Sequence, residues 1–135
     1  MKISPDFVYQ NIDWMRLKLK INLSERKVFP RRKEIWWVSL GKNIGVEIDG
    51  KHSSFERPVL VINAFGIDSF LIVSLTSQPK IGKYYFDYIN NDNQKRVINL
   101  SQLRTVSCLR FIRKIEVIDD NNFQIVIDKI KNYLV

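Results

Sequence analysis

The sequence predicts an α+β fold: a small, strongly bent antiparallel sheet or barrel, with one helix towards each end of the chain. Three observations carry this. Short runs of β-branched and aromatic residues recur between clusters of turn residues. Helix start signals stand at residues 4–6 and 119–120. The chain has 135 residues, 45% of them hydrophobic, which suits a single core in a single domain.

The elements follow in order. Ser4-Pro5-Asp6 supplies a hydroxyl N-cap, a proline at the first helical position and an acid in the first turn. Val8, Ile12, Met15 and Leu19 then keep helical spacing, with Phe7 and Trp14 near the same face, so residues 5–20 read as an amphipathic helix. This stripe is expected to pack on the chain's own barrel. Residues 24–33 form a basic connector, and Glu34 to Leu40 reads as the first strand, one of Trp36 and Trp37 facing outward. A long loop from Gly41 to Glu56 leads into Arg57-Pro58-Val59-Leu60-Val61-Ile62. Four consecutive apolar residues there, three of them β-branched, predict a buried strand. Pro58 suits its first residue, where no central ladder bond is lost, and Arg57 is then held at the strand's mouth. The chain turns at Gly66 and returns as Phe70 to Ser74. A hydroxyl-rich turn with Lys80 and Lys83 follows, then a strand from Tyr84 to Ile89 and a turn at Asn90 to Asn93. Arg96 to Asn99 pairs back, Leu100 to Thr105 follows, and Cys108 to Val117 supplies the last strand. Asp119-Asp120 then starts a helix with Phe123, Val126, Ile127, Ile130 and Leu134 on one stripe.

Composition narrows the chemistry. One cysteine, Cys108, excludes an internal disulfide, and with a single histidine, His52, a transition-metal site is not expected. His52 itself reads as a solvated loop residue. No apolar run reaches the length of a membrane span and no signal-peptide core is present, so a soluble cytoplasmic protein without membrane contact is expected. The net charge of +8 is unevenly placed: residues 1–33 carry nine Lys/Arg against three Asp/Glu, and residues 95–114 carry six against none. Two basic blocks point to a polyanion or an acidic protein as partner, although either block alone also reads as a solvated face.

Several motifs occur together. Glu34-Ile35-Trp36 is followed by Gly45 and Glu47, then Arg57-Pro58-Val59-Leu60-Val61-Ile62, Leu75-Thr76-Ser77-Gln78 and Leu100-Ser101-Gln102-Leu103-Arg104. In that order and spacing the chain resembles the MazF/PemK-like toxins of type II toxin–antitoxin modules over residues 33–134. The resemblance implies an SH3-like barrel domain at 31–135, usually a homodimer. Residues 1–30 form a helical extension outside the common core. It also implies cleavage of single-stranded RNA without metal or other cofactor, and inhibition by a cognate acidic antitoxin. The family's reactive arginine and threonine fall on Arg57 and Thr76, and its loop acid on Glu47. The loop from Glu47 to Arg57 is longer than in compact members. Ser77, Gln78, Lys80, Lys83, Gln102 and Arg104 are the candidate RNA-binding residues.

These residue types suit the chemistry. RNA carries its own nucleophile, the 2′-hydroxyl, so a protein has to align it with phosphorus and stabilise charge on the phosphoryl oxygens. A guanidinium fork and hydroxyl donors fit that task, whereas an always-protonated arginine is not a general base. Glu47 is the candidate base. Set against this, Thr76 and Ser77 also suit ordinary turn capping, and Gln102 and Arg104 strand-end hydrogen bonding. Two other functions remain open: a toxin of the same fold that binds a protein such as DNA gyrase, and a non-catalytic RNA-binding barrel.

Overall fold

The computed structural model describes residues 3–134. Its elements are α1 (Pro5–Asn22), β1 (Glu34–Ser39), β2 (Glu56–Ala64), β3 (Ser69–Thr76), β4 (Tyr85–Ile89), β5 (Lys95–Ser107), β6 (Phe111–Val117) and α2 (Asp120–Tyr133). The six strands form one antiparallel sheet in the order β4-β5-β3-β2-β1-β6. It is an open sheet, bent strongly enough to bring its two edges together. Beyond the end of β4, Asn90 Nδ2 donates to Glu116 on β6, and Arg96 on β5 forms a 2.6 Å ion pair with the same carboxylate. Register shifts in the β1–β6, β2–β3 and β3–β5 pairings mark where the bending is made.

Alternation along the strands divides the core in two. Ile35, Leu60, Ile62, Val73, Leu75, Ile98 and Leu100 face α2, which buries Phe123, Val126 and Ile130 against them. Val38, Leu40, Val59, Val61, Phe70, Ile72, Val106 and Phe111 face the other way and gather around Trp36. Trp36 is buried, and its neighbour Trp37 turns outward to lie under the guanidinium of Arg113 at 5.1 Å. Leu134, placed on the α2 stripe by periodicity, is exposed at the helix end.

Three expectations are corrected. Arg96–Asn99 and Leu100–Thr105 are one strand, β5, interrupted by an irregularity: Ile72 pairs with Arg104, yet Ser74 pairs with Asn99. Asn99 Oδ1 accepts from both the amide and the hydroxyl of Ser101 at that point. The last strand begins at Phe111, because Cys108–Arg110 closes a 3-10 turn capped by the Ser107 hydroxyl. The third correction concerns α1, whose stripe does not pack on the barrel. Val8, Ile12, Met15 and Leu19 are exposed, and the residue that docks the helix is Trp14. Its ring meets Phe55 at 5.6 Å and fills the space where Gly41 has no Cβ; a Cβ there would lie 2.2 Å from the indole.

Candidate functional site

The loop between β1 and β2 sets the site. Gly50 folds back on Phe55 so closely that a Cβ would lie 1.6 Å from the Phe55 carbonyl oxygen, and that oxygen accepts from the amides of Leu40 and Gly41. Lys51 and Glu56 exchange backbone hydrogen bonds, closing a tight turn in which His52 and Phe55 adopt positive φ. His52 is exposed on it. The knot fixes the entry of β2 and therefore Arg57, its second residue.

Across the sheet Val59 pairs with Ser74, and continuing that register sets Arg57 opposite Thr76 at the end of β3. Both line one cleft of about 250 Å³, together with Val46, Ile48, Lys51, Leu75, Gln78, Lys80, Tyr85, Asn99 and Gln102. Arg57 Nε donates to the carbonyl of Asp49, which holds the guanidinium at the wall of the cleft, and its remaining N–H donors are on the two terminal nitrogens. Burial lowers the guanidinium from its ordinary value and the Asp49 charge raises it back in part. Thr76 Oγ1 accepts from the Gln78 amide, so its proton remains to be donated elsewhere.

The other candidates distribute around this cleft. Gln78 and Lys80 line it. Glu47 and Arg104 line the adjoining cavity, of about 460 Å³, with Asn43, Ser74 and Ser101. Glu47 Oε1 accepts from the Ile44 amide at 2.9 Å, turned into its own loop. Gln102 borders both cavities but spends its amide on the loop: Oε1 accepts from Ile48 N at 2.9 Å and Nε2 donates to Val46 O at 2.7 Å. Ser77 lies on the far flank of Thr76, beside Pro58 and Trp37. Lys83 stands apart, its ammonium 5.0 Å from the Tyr84 ring. Lys51, Tyr85 and Asn99 join the cleft without having been singled out in the sequence. Residue-type reasoning gave no signal for them beyond Lys51 following a glycine. Among the described residues no three His, Cys, Asp or Glu side chains converge as ligands for a metal ion. No described helix is long and apolar enough to cross a membrane.

Comparison with known proteins bears on this arrangement. A family model described as the PemK-like, MazF-like toxin of type II toxin–antitoxin systems matches residues 31–134. The chain belongs to this family. MazF (Form-I) from Deinococcus radiodurans superimposes with a TM-score of 0.67 at 16% identity, covering 80% of this chain and 98% of that one. An endoribonuclease in complex with its cognate antitoxin, from a Mycobacterial species, gives 0.61 at 12% identity, over 78% and 94%. A MazE–MazF complex (Form-II) from Deinococcus radiodurans gives 0.60 at 14%, over 80% and 97%. These likenesses establish the PemK/MazF-like fold and its bent sheet. No curated protein sequence matches the chain. The matched segment begins after α1, so the helix and most of the connector stand outside the PemK/MazF-like region.

Proposed function

We propose that this PemK/MazF-like toxin is an endoribonuclease that cleaves single-stranded RNA by attack of the 2′-hydroxyl on the adjacent phosphorus, with no metal ion taking part. The observation that carries this reading is the meeting of Arg57 and Thr76 in one cleft, with the arginine held through Nε by the Asp49 carbonyl. Two parallel N–H donors match two phosphoryl oxygens, and their charge offsets the negative charge that builds there in the transition state. Thr76 supplies a further donor from across the cleft, and Lys80 brings a cation to its rim. The 2′-oxygen forms a bond to phosphorus as the bond from phosphorus to the 5′-oxygen breaks, the 5′-oxygen takes a proton from water, and the products carry a 2′,3′-cyclic phosphate and a 5′-hydroxyl. Glu47 takes the 2′-proton only when its hold on the Ile44 amide opens, since its carboxylate is turned into the loop. The bound partner that silences the toxin is, on this reading, an acidic antitoxin that competes for the same basic surface.

The test is incubation of the purified chain with a long RNA in EDTA. Wild-type protein is expected to cut it, Arg57→Ala to lose activity to background, and Thr76→Ala to lose about 100- to 1,000-fold, with both variants folded. Wild-type cleavage by Arg57→Ala would place the chemistry elsewhere. RNA binding without cleavage by the wild-type chain would favour a non-catalytic RNA-binding role, and neither binding nor cleavage would favour a toxin aimed at a protein.

A further inference from the structure

We propose that the cavity between α1 and the β1–β2 loop is a guanine-binding subsite, which holds a base of the RNA next to the bond that is cut. The proposal rests on the reading of Arg57 and Thr76 as an RNA-cleaving pair and adds to it the base that the chain selects. The cavity has a volume of about 560 Å³, within the range of small-molecule sites. One wall is α1, through Gln10 and Asp13, and the other is the loop, through Lys42, Lys51, His52 and Ser53. Docking of Trp14 against Gly41 and Phe55 creates it. At about 100° per residue, Gln10 and Asp13 lie to one side of Trp14, away from the strip of Val8, Ile12, Met15 and Leu19. Lys51 lines both this cavity and the cleft of Arg57, so the two adjoin across its side chain.

Charges and donors decide what enters. Lys42 Nζ is engaged by Asp49 Oδ2 at 3.6 Å, and Asp13 sets a carboxylate on the facing wall. A phosphate is repelled there and stays with Lys51 and Arg57 on the cleft side. The group that fits beyond Lys51 is uncharged and carries N–H donors, since a carboxylate only accepts. Among the four bases guanine suits it best. Its N1–H and N2 amine lie side by side and match the two oxygens of Asp13. Adenine and cytosine set an amine beside an acceptor, and uracil has a single N–H between two acceptors. Gln10, about one turn before Asp13, brings an amide able to donate to O6. His52, exposed on a turn at φ 64°, lends a flat ring for the base to stack on. Lys42 also ties the cavity to the reaction, because its partner Asp49 supplies the carbonyl that holds Arg57. Gln10 and Asp13 precede the family-matched segment, so one wall of this subsite comes from outside the PemK/MazF-like core.

Mapping the cut sites on a long RNA of mixed sequence tests the choice of base. The wild-type chain is expected to cut with guanine enriched at one fixed position near the break. Asp13→Asn is expected to reduce that enrichment about tenfold, the worth of one well-paired base contact. Asp13 is exposed and asparagine keeps its shape, so the fold is not at stake. Asp6→Asn, on the same helix but outside the cavity, is expected to leave the enrichment as it was. A second measurement needs no cleavage. A strand of 2′-deoxythymidines carrying one guanine has no 2′-hydroxyl and cannot be cut, and exchanging that guanine for hypoxanthine removes only the N2 amine. The wild-type chain is expected to bind the guanine strand about tenfold more tightly, and Asp13→Asn to bind the two alike. Equal affinity of the wild-type chain for both strands, or a guanine preference that persists in Asp13→Asn, would overturn the subsite. A wild-type chain that cuts nothing yet tells the strands apart through Asp13 would overturn the nuclease reading and keep the subsite.

Discussion

Arg57 owes its position to the loop that precedes it and to the residues that hold that loop. Gly50 can approach the Phe55 carbonyl only because it lacks a Cβ, and Asp49, one residue before it, then presents the carbonyl that holds Nε. Gln102 clasps the same loop from β5, through Val46 O and Ile48 N. The clasp changes what Gln102 is expected to do. With both ends of its amide engaged, Gln102→Ala should release the loop and lower the cleavage rate 10- to 100-fold through misplacement of Arg57. The salt dependence of RNA binding should stay as it was, because no charge is removed. A Gln102→Ala variant that cleaves as fast as the wild-type chain would show that the loop is held without it. The pairing of Arg57 with Thr76 was legible only through the family resemblance: an arginine before a strand-opening proline and a threonine at a strand end equally suit a surface residue and a turn cap, and the structure adds that both line one cleft. The clasp was not legible. It joins residues 46–48 to residue 102, and no local pattern reports such a contact.

At the scale of elements, the strands were read from their apolar runs, and their boundaries failed where side chains bend the backbone. Asn99 and Ser101 hydrogen-bond to each other inside β5, which makes one strand look like two. The α1 helix was legible from its cap and proline, but the face it buries was not. Periodicity finds an apolar stripe and says nothing about what covers it; a single indole against Gly41 and Phe55 decided the docking. The start of β1 offers a test of another element-level feature. Glu34 is buried there, and its carboxylate accepts from the Arg31 amide and Trp36 Nε1 and pairs with Lys114 at 2.8 Å. Burial pushes its pKa up, but these hydrogen bonds and the nearby ammonium outweigh it, and the net shift is downward. A depressed carboxylate stabilises the fold above its unfolded pKa, and that contribution disappears as pH falls through the lower folded value. The melting temperature should therefore drop on acidification below the ordinary carboxylate range. Glu34→Gln should melt lower than wild type at pH 7 and show a flatter acid limb; an identical acid limb would assign the loss to other carboxylates.

Over the whole molecule, charge and shape converge on one end of the sheet. The chain carries +8 in total, and the cleft of Arg57 is bordered by Lys51 and Lys80, with Arg104 in the adjoining cavity. These cations face a common surface, whereas Lys83 lies against Tyr84 outside both cavities. A single strand of RNA crossing both cavities would displace condensed counterions from each phosphate that a cation neutralises. Affinity then falls with salt at a slope of about 0.7 per phosphate contact. Replacing Lys51, Lys80 and Arg104 together by glutamine should reduce that slope by about 2, while Lys83→Gln should leave it almost unchanged. The two measurements separate a local groove from a diffuse positive field. If the RNA responds only to overall charge, four single replacements will weaken binding equally, and Lys83 will count as much as Lys80. If the bent sheet forms a track through the two cavities, position will matter more than charge. The triple variant will then lose most of its salt dependence with 19 of the chain's 22 Lys and Arg residues still in place.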